Sequence, residues 1–176
     1  MSTFLDDPDT SDEEQIEITP EVTEEIEEKV AKFKSEGDTA FRTQNFDDAR
    51  IAYTESINLL KEYKMSPNAT LFANRSAVFL SLKKYISALY DAQQSAKIDP
   101  KNWKAYWRQG VALLGMTEKR FRSKQAIEAF QKCLECDNLP DEKKSEVMSK
   151  MRLARSKLDK QDAETPMPDM SNCAPS

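Results

Sequence analysis

The stretch Ala69–Pro100, ATLFANRSAVFLSLKKYISALYDAQQSAKIDP, decides the fold of this chain. Apolar residues recur in it at helical spacing, in two successive runs, and such spacing predicts buried helix faces. The first run comprises Leu71, Val78 and Leu82, and the second comprises Tyr85, Ala88, Leu89, Ala92 and Ala96. Pro100 ends the second run, because proline cannot continue a helix. The stretch therefore predicts two helices joined by a short turn.

The same two-helix unit occurs before and after this stretch. Each unit has a small residue midway along its first helix (Gly37, Ser76 and Gly110) and an alanine in its second (Ala49, Ala88 and Ala126). Small residues let two antiparallel helices approach closely. The interval from Ser76 to Gly110 is 34 residues, the period of tetratricopeptide repeats. The interval from Gly37 to Ser76 is 39 residues, and its five extra residues fall in Glu62–Asn68.

This pattern resembles the tetratricopeptide-repeat family over about residues 30–136. The resemblance implies an all-α solenoid of three antiparallel helix pairs plus a C-terminal capping helix. We expect repeats at about 30–63, 69–102 and 103–138, and a cap at 141–160, within a domain of residues 23–160. Four extra residues at Glu118–Lys124 predict a protruding basic loop in the third hairpin.

The predicted cap carries a single narrow apolar stripe, made of Val147, Met151, Ala154 and Leu158. Such a stripe is typical of a helix that covers the end of a stack of repeats. A stripe that binds a partner helix is the alternative.

Charge is distributed unevenly along the chain. Residues 1–28 hold 12 acidic residues and no Lys or Arg, which leaves 19 acidic and 26 basic residues in the rest. Residues 1–22 and 161–176 offer little to bury, so we expect two disordered tails. Ser11 precedes three acids and is a candidate phosphorylation site. The acidic tail could fold back on a basic groove and compete with its ligand.

Composition argues against several functional classes. The chain has no histidine, three glycines and three cysteines, so it lacks the commonest general base and any glycine-rich phosphate loop. We therefore predict no enzyme, no cofactor and no metal site. We also expect no basic aromatic platform for nucleic acid, no signal peptide and no membrane span. The odd cysteine count favours a reduced, cytoplasmic setting, with the nucleus as the alternative.

The cysteines have simpler explanations than metal or lipid. Cys133 and Cys136 form one isolated pair where the repeats need small residues, which favours packing over zinc. Cys173 is fourth from the end, as in a farnesylation box, but proline replaces the usual aliphatic residue and no basic run precedes it.

Polar residues on the predicted first helices indicate a binding site. These helices line the concave face of such a solenoid. They place Lys34 and Asp38, Asn74, and Lys104 and Arg108 on that face; the last two are four residues apart and share one side of their helix. Two cations and an amide donor that converge suit a pair of carboxylates, because charge-assisted hydrogen bonds are strong.

The same residues resemble the carboxylate-clamp subgroup of tetratricopeptide co-chaperones. That subgroup carries Lys-x-x-Gly-Asn, Asn-Arg and Lys-x-x-x-Arg, which correspond here to Lys34 to Asp38, Asn74-Arg75 and Lys104 to Arg108. The resemblance implies that Lys34, Lys104 and Arg108 hold acidic groups of a Glu-Glu-Val-Asp terminus and that Asn74 donates to its terminal carboxylate. It further implies apolar peptide contacts from Phe41, Ala77 and Leu80.

Asp38 departs from the subgroup, which has asparagine there. An anionic side chain at this position repels a carboxylate ligand, by about 1 kcal/mol at 4 Å in bulk water. Lys34, one turn earlier, could neutralise it.

The expected partners are the C-terminal tails of heat-shock protein 90, heat-shock protein 70 or both, with a further client or assembly partner elsewhere on the surface. The alternative is a scaffold that binds an internal peptide segment in the same groove, independently of chaperones. A peptide with an amidated C-terminus separates the two hypotheses, since only a clamp needs the free carboxylate.

Overall fold

The computed structural model of the chain describes residues 19–116 and 120–164. These residues form seven α-helices and no strand, which confirms the all-α prediction. The helices are α1 (Pro20–Arg42), α2 (Phe46–Glu62), α3 (Ala69–Ser81), α4 (Tyr85–Ile98), α5 (Trp103–Gly115), α6 (Arg120–Glu135) and α7 (Asp141–Glu164). None of them is long and apolar enough to cross a bilayer. Ser11 and Cys173 lie outside the described residues.

Side-chain caps set where the first helices begin. The Thr19 hydroxyl accepts the backbone N–H of Val22 at 3.3 Å, and Pro20 occupies the first turn of α1. The helix therefore begins three residues before the predicted boundary at Thr23. Asn68 caps α3 by accepting the N–H groups of Thr70 and Leu71. The five-residue insertion lies between α2 and α3, where the repeat spacing placed it.

The helices pair as hairpins, α1 with α2, α3 with α4, and α5 with α6, and α7 covers α6. Glycine notches explain how closely two of the pairs approach. A Cβ on Gly37 would come within 2.8 Å of the Tyr53 ring, and one on Gly110 within 2.4 Å of the Phe130 ring. In the middle hairpin the notch residue is Ser76, whose buried hydroxyl donates to the carbonyl of Ala88 at 2.7 Å.

The third hairpin corrects the predicted basic loop. Helix α6 begins at Arg120, so residues 120–124 extend the helix instead of forming a loop. Two contacts hold this extension. Arg122 donates to the carbonyl of Met116 at 2.8 Å, and the buried Ser123 hydroxyl bonds Gln161 at 3.2 Å.

The predicted capping helix is present as α7. It buries Val147 and Ala154, and Met151 and Leu158 also pack against the core formed with α5 and α6. The helix runs to Glu164, so residues 161–164 are helical and not part of a disordered tail as predicted.

Candidate peptide-binding site

Three first helices bring the predicted polar residues to one surface, because α3 lies between α1 and α5 and contacts both. At its centre is Asp38, which accepts hydrogen bonds from three helices. Lys34 donates to Oδ2 at 2.7 Å, while the Tyr53 hydroxyl and the Asn74 amide donate to Oδ1 at 2.5 and 3.0 Å. The acid that interrupts the predicted clamp is thus the hub of a polar network.

The network keeps Asp38 ionised. Partial burial by itself would raise the pKa of Asp38, but the bonds from Lys34, Tyr53 and Asn74 outweigh burial and hold the pKa below its ordinary 3.8. Burial and the bond to Asp38 raise the pKa of Tyr53, so its hydroxyl remains a donor. The Lys34 ammonium is the direct counter-charge of the Asp38 carboxylate.

A cavity of about 390 Å³ opens beside this hub, and we call it the clamp cavity. Its polar lining is Ser35, Asp38, Arg42, Tyr53, Asn74 and Arg108, and Phe41 and Ala77 supply apolar surface. The lining contains two arginines, on α1 and α5, and a single acid. The cavity is therefore suited to an anionic group.

Arg108 carries a buried donor that is not satisfied. Its Nη1 nitrogen is buried and makes no hydrogen bond within the described residues. Burial lowers the pKa of Arg108 to about 10, which leaves the guanidinium charged at neutral pH. An unsatisfied buried donor is costly, so a carboxylate that reaches it gains more than it would from a solvated cation.

A second cavity of about 290 Å³ adjoins the first, and we call it the indole cavity. Trp103 and Trp107 line it with Ala77, Leu80 and Val147, and Lys104, Arg108, Lys143 and Glu146 supply the charged groups. Ala77 and Arg108 line both cavities. The exposed Lys104 ammonium lies 5.8 Å from the Trp103 ring centroid and has no carboxylate partner in the described part of the chain.

The structure divides the predicted residues between these cavities. Asn74 and Arg108 lie in the clamp cavity with Asp38, Phe41 and Ala77, whereas Leu80 and Lys104 lie in the indole cavity. Lys34 lines neither of them; its ammonium is turned to Asp38, and the side chain borders a separate cleft beside the 63–68 connection.

Sequence reasoning missed several residues of the site. Tyr53 was not among the predicted site residues, although its hydroxyl contributes to the hub. Arg42 comes one turn after Asp38, and that spacing was a signal for a further cation on the same face. Trp103 and Trp107 were not predicted either, because nothing in their spacing separates a core position from a cavity wall.

Cys133 and Cys136 line neither of these two cavities. Cys133 is buried, and its thiol donates to the carbonyl of Trp103 at 3.4 Å; burial raises its pKa to about 12. Within the described residues no group of three or more Cys, Asp or Glu side chains is arranged to hold a metal ion.

The chain is similar in sequence to known proteins. The chain is 37% identical over 106 residues to heat shock protein STI1 of Saccharomyces cerevisiae, and 32% identical over 120 residues to the Hsp70/Hsp90 co-chaperone CNS1 of the same yeast. These alignments cover 60% and 66% of the chain but only 17% and 31% of the relatives, so the chain spans less than a third of their length. No protein-family model matches the chain.

Among solved structures, the second tetratricopeptide domain of Spaghetti (RPAP3), bound to the heat-shock protein 90 peptide SRMEEVD, superposes with a TM-score of 0.56 at 26% identity. The match covers 65% of this chain and 99% of that domain. Together with the three hairpins and the cap, these similarities define the class of the fold. The chain has the fold of a tetratricopeptide-repeat domain, and its predicted resemblance to the co-chaperones that carry such domains is confirmed.

Proposed function

We propose that the chain is an adaptor that binds the acidic C-terminal tail of heat-shock protein 90, heat-shock protein 70 or both, through the clamp cavity and the indole cavity. The terminal carboxylate enters the clamp cavity, where Asn74 has a second amide N–H to donate and Arg108 has its free Nη1. Lys104, at the rim of the indole cavity, meets an acidic side chain of the peptide.

The observation that carries this proposal is the unsatisfied Nη1 of Arg108. A buried guanidinium nitrogen without an acceptor is destabilising, and the Arg108 side chain lines a cavity of about 390 Å³ that has space for a carboxylate. Arg108 also lines both cavities, so it can contact groups of the peptide in each of them. The SRMEEVD peptide bound to the Spaghetti domain ends in an aspartate, which carries a terminal carboxylate and a side-chain carboxylate.

The indole cavity suits an apolar side chain upstream of the acids. Two indole rings, Leu80 and Val147 provide its apolar walls. A methionine side chain, as in SRMEEVD, is flexible and packs well against aromatic rings. The two cavities share Ala77 and Arg108, so one extended peptide can fill both.

The proposed role is binding and includes no catalytic step. The binding takes place in the cytoplasm, with any client recruited by another part of the surface or of the assembly. A scaffold that binds an internal peptide segment is the competing function, favoured by the apolar character of the indole cavity, which requires no free terminus.

Isothermal titration with SRMEEVD, as free acid and as C-terminal amide, tests the proposal. Both tryptophans of the chain line the indole cavity, so their fluorescence gives a second readout of the same event. We expect saturable binding of the free acid and a loss of at least about tenfold with the amide, since hydrogen bonds to charged groups contribute about 1.5–3 kcal/mol. Equal binding of both peptides would favour the internal-segment scaffold.

Variants at Arg108 complete the test. Arg108→Met keeps an unbranched apolar stem but removes the guanidinium and its charge, and we expect it to lose most of the affinity for the free acid. Arg152→Ala, on the exposed side of α7, removes one positive charge away from both cavities and should bind like the wild type. Circular dichroism shows whether each variant is folded. Wild-type affinity in folded Arg108→Met would refute the clamp.

A further inference from the structure

Arg42 is a cation in the clamp cavity that the clamp pattern does not contain. It is the last residue of α1 and lines the cavity together with Arg108 of α5. Lys34, which the pattern places there, borders a different cleft, because its ammonium is bound to Asp38 at 2.7 Å. The positive charge beside Arg108 therefore comes from a different residue than the sequence pattern implies.

The Arg42 side chain is positioned toward the cavity and is not neutralised. Its Nε donates to the backbone carbonyl of Asp38 at 3.3 Å, and its Nη2 donates to the Thr39 hydroxyl at 3.2 Å. Both acceptors lie one turn earlier, so the guanidinium is held against the surface of α1 at the residues that border the cavity. Of its five N–H groups these bonds use two, and no carboxylate pairs with Arg42 in the part of the chain that the structure describes.

Arginine is also the better residue for this task. A guanidinium offers a planar pair of N–H groups that matches a carboxylate, whereas a lysine acts as a point charge. A carboxylate between Arg42 and Arg108 would face two forks from two helices, with the Asn74 amide beside them. A basic residue in the last turn also stabilises the helix dipole, and the test must separate that role from binding.

We propose that Arg42, and not Lys34, is the second cation that holds the terminal carboxylate of the ligand in the clamp cavity. The inference rests on the proposed function, since it needs a ligand with a free acidic terminus. Lys34 then serves to neutralise Asp38. The pair acts as one uncharged unit that leaves the contact with the terminus to the two arginines and Asn74.

Titration of SRMEEVD against four variants tests this assignment. Arg42→Ala should weaken binding of the free acid by about tenfold and binding of the amide by less than about twofold, because the lost partner is the terminal carboxylate. Arg42→Lys should fall between Arg42→Ala and the wild type. Arg152→Ala controls for the change in net charge. The double variant Lys34→Gln/Asp38→Asn removes the internal pair at constant net charge, and should keep affinity within about threefold of the wild type.

The outcomes distinguish a failure of the Arg42 assignment from a failure of the proposed peptide-binding function. If the wild type binds the free acid and Arg108→Met does not, while Arg42→Ala binds as tightly as Arg152→Ala, the role of Arg42 is refuted and the clamp stands. A tenfold loss in the Lys34→Gln/Asp38→Asn variant, without loss in Arg42→Ala, returns the role to Lys34. If Arg42→Ala weakens acid and amide equally, its effect is structural and the assignment fails. A wild type that binds neither peptide overturns both proposals.

Discussion

Replacing Asp38 by asparagine should tighten binding of an acidic C-terminal peptide and destabilise the free protein. Two charges 4 Å apart interact by about 1 kcal/mol in bulk water and by about 4 kcal/mol at an effective dielectric constant of about 20. The Asp38 side chain is 36% exposed, so water screens much of this repulsion. We therefore expect the lower value, about 1 kcal/mol, which is about a fivefold gain in affinity.

The cost to stability has a separate origin. Asparagine retains one oxygen, which can still accept from Tyr53 and Asn74, but it loses the ion pair with Lys34. The side chains of that pair are 37% and 36% exposed, so the pair contributes at most about 1 kcal/mol. Opposite signs for binding and for stability distinguish this mechanism from a general loosening of the site.

Isothermal titration with free-acid SRMEEVD gives the affinity, and urea unfolding gives the stability. Glu36→Gln is the matched control, because Glu36 is exposed on the same helix and its replacement changes the net charge equally. We expect Glu36→Gln to change affinity by less than about twofold at physiological salt, where exposed charges are screened beyond about 8 Å. Unchanged or weaker binding by Asp38→Asn would show that a ligand carboxylate does not approach Asp38, and the placement in the clamp cavity would be wrong.

Three further predictions concern the scaffold. Arg75→Ala should lower the free energy of unfolding in urea by about 3–5 kcal/mol, because Arg75 donates two hydrogen bonds, at 2.7 and 2.9 Å, to the buried Asp91 carboxylate. The loss comes from leaving Asp91 unpaired, so an Arg75→Ala/Asp91→Ala double variant no more stable than Arg75→Ala would refute this. Gly110→Ala should destabilise the fold by about 1–3 kcal/mol despite the better helix propensity of alanine, because the new Cβ would lie 2.4 Å from the Phe130 ring. If that contact is the cause, adding Phe130→Leu to Gly110→Ala should recover part of the loss. Folding lowers the pKa of Asp38 below its ordinary 3.8, so the carboxylate contributes its full stability above pH 3.8 and loses it as the pH falls through the folded pKa. The difference in the free energy of unfolding between the wild type and Asp38→Asn should therefore shrink as urea unfolding is repeated at lower pH.

The fold could be predicted from the sequence because its determinants are local and repeated. Gly37, Ser76 and Gly110 are small because the second helix of each hairpin presses against them, and the spacing of such notches fixes the repeat. The insertion before Asn68 was located for the same reason. The position of the insertion in the third hairpin was also predicted, but its structure was predicted wrongly as a loop. Extra residues next to a helix can extend that helix, as Arg122 and Ser123 do, and repeat spacing alone does not distinguish this from a loop.

The site was predictable only as a set of residues on one face. Helical spacing placed Lys104 and Arg108 together, and the structure keeps them on one surface. Spacing indicated that Lys34 could neutralise Asp38, but it could not show the other two donors to Asp38, because they come from other helices. Tyr53 belongs to α2 and Asn74 to α3, and their approach to Asp38 depends on the packing angle of the hairpins.

The contacts of Asp38 change the interpretation of its role in the site. In the sequence it is an acid where the ligand carboxylate should go, which predicts a weakened clamp. In the structure it collects donors from α1, α2 and α3, the same kinds of group that a terminal carboxylate requires. The free site is thus organised by a carboxylate of its own, and Asn74 is held in place before any ligand arrives. A ligand then gains from a preorganised site and loses from a nearby like charge. Arg108 and Arg42, which pair with no carboxylate of the described residues, decide which effect is larger.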